Sequence, residues 1–89
     1  MELLELPTAL PLTSAPRGLT VVPRRGALWR VTRADGVVLG YVEKVSDGGG
    51  ASGGGTRFRS KRLRERATGF HIIGDFWSAD DAVDALRHP

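Results

Sequence analysis

The sequence predicts an α+β fold: an antiparallel sheet of three to four strands packed against one C-terminal helix. Three observations carry this. Apolar and polar residues alternate along Leu28–Arg33 and again along Arg57–Leu63, the two-residue period of half-buried strands. Asp35-Gly36 follows the first run, and an Asp-Gly pair favours a two-residue hairpin turn because both positions tolerate positive φ. Ser78 then stands ahead of an apolar stripe at helical spacing, Ala79, Ala82, Val83 and Leu86.

Residues 1–18 read as an extended arm, disordered or docking, because Pro7, Pro11 and Pro16 interrupt leucines that follow no clean period. Residues 19–89 read as a single small sheet-plus-helix domain. Within it, Leu19 to Val22 can form a short edge strand before the turn Pro23-Arg24-Arg25-Gly26. In Leu28–Arg33, Trp29 and Val31 alternate with Arg30 and Thr32. The return strand runs from Val37 toward Val45, with Leu39 and Tyr41 on one side and Val38, Val42 and Lys44 on the other. Gly40 in its middle signals a bulge or a close backbone approach.

A flexible glycine loop at 46–56 follows. It lacks the Gly-Lys-Ser/Thr ending and the succeeding helix that phosphate-binding loops need. Arg57 to Leu63 is the next strand, with Phe58 and Ser60 opposite Arg57, Arg59 and Lys61. After a turn at Glu65 to Gly69, Phe70 to Phe76 forms another, in which Phe70, Ile72 and Phe76 can share one face and His71 and Ile73 the other. The helix has Ser78 as its N-cap, Asp80 and Asp81 in its first turn and Arg87 in its last, all matched to the helix dipole. So short a helix does not persist alone and must pack on the sheet.

Composition narrows the function. The chain has no cysteine, which excludes disulfides and thiolate metal sites, and its two histidines, His71 and His88, have no ligand-spaced companions. No metal and no cofactor is expected. No apolar run approaches the roughly 20 residues that cross a bilayer. Glu2 and Glu5 occupy the place where a secretory leader carries Lys or Arg. The expected setting is cytoplasmic, with no membrane partner. His71 has no nucleophile or triad pattern around it, and helix capping accounts for Asp80 and Asp81, so no catalytic residue is assigned and the protein is not expected to be an enzyme.

The net charge is only +3, but Arg17 to Arg66 holds nearly all the cations, while Asp80, Asp81 and Asp84 lie on the helix against Arg87. A basic body with an acidic helix steers toward anionic partners. The run Arg57-Phe-Arg-Ser-Lys-Arg-Leu-Arg-Glu-Arg66 interleaves cations with an aromatic, the composition of a phosphate-tracking surface. Arg57, Arg59, Lys61, Arg62 and Arg64 are the candidate phosphate contacts, with Arg30 and Arg33 assisting from the hairpin. Tyr41 and Phe58 are candidate stacking platforms for unpaired bases. The expected function is non-catalytic nucleic-acid binding, on duplex DNA through the basic sheet face. The alternative is a protein-interaction or self-association module that docks on a protein partner or forms a homodimer through the leucine-bearing arm, Leu3 to Leu12.

The arrangement of strands closing on one helix resembles known designs. Trp29-x-Val31 stands at its start and Phe-Trp-Ser-Ala-Asp-Asp-Ala-Val-Asp-Ala-Leu86 at its end. Over residues 28–87 it resembles the integrase amino-terminal (arm-type) and AP2-like DNA-binding domains. That resemblance implies a sheet that enters the major groove and a helix that braces its back. The ending also looks like that of double-stranded-RNA-binding domains, but Asp80 and Asp81 stand where that family places lysines.

Overall fold

The computed structural model describes residues 9–46, 55–64 and 69–87. Five strands, β1 (Leu19–Arg24), β2 (Leu28–Arg33), β3 (Val38–Ser46), β4 (Thr56–Leu63) and β5 (Phe70–Phe76), form one sheet. Each strand pairs antiparallel with the next in chain order. Helix α1 (Ala79–Arg87) follows β5. The α+β class is as expected, but the sheet holds one strand beyond the upper count. The difference is β1, which continues through Pro23 to Arg24; its place at the edge tolerates a proline without an N–H.

One face of the sheet carries the core. Trp29, Val31, Val42 and Phe58 are buried there beneath Ala79, Ala82, Val83 and Leu86 of the helix, the stripe read from the sequence. Ser78 caps the helix by accepting the Asp81 N–H at 3.1 Å. Buried Ser60 on β4 donates to the Ala82 carbonyl at 2.6 Å, and Arg62 Nη2 donates to the Leu86 carbonyl at 3.1 Å near the helix end.

Gly40 is where sheet and helix meet most closely. A Cβ there would collide with the Lys61 carbonyl and lie 2.9 Å from Leu86 Cδ2. The register also slips beside it: Val31 pairs with Gly40 but Thr32 pairs with Val38, leaving Leu39 as an extra residue. Leu39 therefore packs against the core instead of sharing a face with Tyr41, and Val38, opposite Thr32, departs from the Val42 side. A second slip leaves Ile73 extra, between Gly74 opposite Ser60 and Ile72 opposite Lys61. As a result Phe70 and Ile72 share the face of Lys61, whereas Phe76 packs against the core.

The β2–β3 turn is one residue longer than a two-residue hairpin. Arg33 N–H donates to Val37 O at 2.8 Å and Gly36 N–H to Arg33 O at 2.9 Å, enclosing Ala34, Asp35 and Gly36. Gly36 takes φ +94°, the left-handed position that ends a three-residue hairpin loop.

Residues 9–18 form a strap beside the helix. Leu10 is buried in the core and Leu12 packs against it. Thr13 N–H donates to both carboxylate oxygens of Asp80, at 3.1 and 3.2 Å, and Arg87 Nη1 donates to Arg17 O at 2.9 Å. The strap is thus tied at both ends of α1. Leu3, Leu4 and Leu6, most of the glycine loop (47–54), most of the Glu65–Gly69 turn and His88 lie outside the described residues. Among the described residues no helix is long and apolar enough to cross a membrane.

Candidate nucleic-acid interface

The helix and the strap lie on the same face, and no described element lies over the other. Antiparallel partners project to the same side, so the register defines what the open face presents. One row across it reads Arg24, Leu28, Glu43, Arg59, Asp75, and the next reads Val22, Arg30, Tyr41, Lys61, Ile72. Arg57 lies opposite Val45 at one end, and Leu63 opposite Phe70 at the other. Five cations, Arg24, Arg30, Arg57, Arg59 and Lys61, therefore share this face with two carboxylates, Glu43 and Asp75.

Of the residues expected in the site, Arg30, Arg57, Arg59 and Lys61 come together. Arg62 does not join them: its register position opposite Gly40 turns it toward the helix, where it caps carbonyls. Arg33 alternates onto the same side as Val31 and pairs with Asp35 at 2.8 Å within its own turn. Arg64 is exposed beyond the end of β4, where its N–H donates to Gly69 O.

The gathered cations are not equally available. Arg59 makes a two-pronged contact with Asp75, and Lys61 Nζ lies 2.8 Å from Glu43 Oε1. The Arg59 hydrogen bond draws the Asp75 carboxyl below the usual aspartate range, against a smaller opposing effect of desolvation. Bonding to Asp75 in turn raises the Arg59 guanidinium still further above neutrality. Arg24 and Arg30 have no ion-pair partner among the described residues, and the Arg30 Nε is shielded from solvent with no hydrogen bond.

Aromatic rings accompany the charges. Tyr41 and Phe70 meet edge to face with centroids 5.2 Å apart, and Lys61 Nζ stands 5.9 Å from the Phe70 centroid. At the other end the Arg57 guanidinium lies 5.8 Å from the centre of Trp77, which is 71% exposed and rests over Gly55. Phe58 is not a platform; it is buried under the helix. Its alternation against Arg57 and Arg59 already assigned it to the opposite face. Phe70 and Trp77 were missed as platforms, and the signal for Trp77 was its position outside the helix stripe.

Comparison with protein-family models, with curated proteins and with solved structures gives no match.

Proposed function

We propose that this chain binds nucleic acid without catalysing a reaction, through the open face of its sheet. The observation that supports this reading is the excess of cations there, five against two carboxylates, on a surface that also offers Tyr41, Phe70 and Trp77. A sugar–phosphate backbone supplies the anions such a face lacks, and bases supply flat apolar surface for the rings. The acidic helix, carrying Asp80, Asp81 and Asp84, stands on the opposite side, where it does not repel the ligand.

A salt titration with mixed-sequence oligonucleotides tests it. With three to five cations engaged, log affinity falls against log salt with a slope of about −2 to −5. Arg30→Ala makes the slope shallower by just under one unit, since one phosphate contact is lost. Absence of binding at low ionic strength overturns the reading.

A second reading is favoured by the β5 edge. Phe70 and Ile72 are about half exposed and Ile73 is also exposed, and Phe70–Phe76 contains no Pro, Lys or Arg to block pairing with another strand. Self-association would then run through β5; of the leucine-bearing arm, Leu10 and Leu12 serve the chain's own core. The irregularity at Ile73 bends that edge and disfavours added strands, which leaves nucleic-acid binding the better supported. Concentration-dependent sedimentation that Ile72→Lys abolishes would reverse this order.

A further inference from the structure

Building on the nucleic-acid reading, we infer that the ligand is a single strand laid across the sheet with its bases unstacked, not a duplex entered through its major groove. Two independent features lead there. The first is breadth. The major groove is about 12 Å wide and admits a helix or a two-stranded ribbon. Five strands at about 4.8 Å spacing make a face about 19 Å across. The cations span four of its strands, about 14 Å, from Arg24 on one edge strand, through Arg30 on β2, to Arg57, Arg59 and Lys61 on β4. A duplex groove cannot receive such a surface, whereas a flexible single strand can follow it.

The second feature is the placement of rings. Each end of β4 pairs a cation with an aromatic: Arg57 with Trp77 at one, Lys61 with Phe70 and Tyr41 at the other. Four residues of strand, about 13 Å, separate the two stations. A tryptophan 71% exposed is costly surface for so small a domain, and its ring is held over Gly55, where a Cβ would stand only 3.1 Å from Cζ3. Rings so displayed beside guanidinium and ammonium groups suit the faces of splayed bases, which a duplex keeps stacked inside. Arg59 lies between the stations, its guanidinium held in place by Asp75.

Trp77 is also the reporter. The other tryptophan, Trp29, is only 4% exposed in the core, so ligand quenching of emission reports Trp77. Short oligothymidylate and a hairpin duplex of equal nucleotide number are titrated against the full chain at low salt. Oligothymidylate is expected to quench emission and to bind more tightly than the hairpin. Read by the anisotropy of end-labelled oligothymidylate, Trp77→Ala is expected to weaken single-strand binding about fivefold to a hundredfold, and Trp77→Phe, which keeps a ring, to recover much of it. Phe70→Ala tests the second station in the same way. Equal or tighter binding of the hairpin, without quenching, overturns the single-strand inference and leaves the nucleic-acid reading standing. Failure of both ligands to bind overturns both.

Discussion

Arg59 holds Asp75 with two nearly parallel bonds across neighbouring strands, Nε to Oδ1 at 2.8 Å and Nη2 to Oδ2 at 3.1 Å. Glu43 flanks the same guanidinium from β3, so Arg59 sits between two carboxylates in one row of the sheet. The centre of the open face is therefore balanced, and the cations without an ion-pair partner among the described residues, Arg24 and Arg30, lie on the β1–β2 side.

That pair has a pH signature. Asp75 titrates below its unfolded value, so its contribution to stability is fully present above the ordinary aspartate range. It is lost as pH falls through the lowered folded value. Asp75→Asn should reduce the melting temperature at neutral pH, and the difference from the parent should vanish in strong acid. Thermal melts across that range check it, and a pH-independent difference would refute the pairing.

Glu43 competes with any anionic ligand for Lys61. Glu43→Gln should raise affinity for an oligonucleotide and steepen its salt slope by just under one unit, as a further cation becomes available. The salt titration already described reads this directly.

Gly40 has no room for a methyl group between the Lys61 carbonyl and Leu86. Gly40→Ala should destabilise the fold by about 1–3 kcal/mol or more, because backbone and helix must both move. Urea denaturation gives the value, and an unchanged midpoint would show that α1 sits farther from the sheet.

Leu10 is a core residue supplied by the strap. Leu10→Ala should cost about 2–5 kcal/mol, the range for emptying a buried leucine site. A loss below about 0.5 kcal/mol, the level of ordinary surface changes, would mean that the strap contributes nothing to stability.

Val83 lies at the contact of helix and sheet. Val83→Asp should cost about 3–5 kcal/mol by leaving a carboxylate buried without a partner. A chain of 89 residues stands near the low end of the roughly 5–15 kcal/mol typical of a whole domain, so the variant should be largely unfolded by circular dichroism, and a native-like spectrum and melt would show that the helix stripe does not face the sheet.

Elements whose pattern is local were legible. Alternation located β2 and β4, and the Ser78 cap with its apolar stripe located α1, because each depends on neighbours within a turn or a pleat. What alternation alone could not follow were the two slips of register, since a single extra residue reverses every face beyond it. Both extra residues, Leu39 and Ile73, are followed by glycine, Gly40 and Gly74. The first glycine was recognised as a signal and the second was not. The strap was illegible for another reason: an extended segment takes its buried positions from the surface it crosses, so Leu10 shows no period of its own. In the candidate site, the common face of Arg57, Arg59 and Lys61 followed from alternation. Their neutralisation by Glu43 and Asp75 depends on which residues stand opposite, and that is a property of register between distant segments.

The two ties between strap and helix join residues 67 and 70 positions apart, Thr13 to Asp80 and Arg17 to Arg87. They make the chain a ring without a covalent closure. Its two halves, the strap with β1–β3 and the β4–β5–α1 unit, meet along the β3–β4 ladder, in the core where α1 covers Trp29, Val31 and Val42, and where strap and helix lie together. A protease nick among the glycines between positions 47 and 54 would cut the only peptide link between them. The pieces would remain one particle, held on both sides, as two fragments that reassemble.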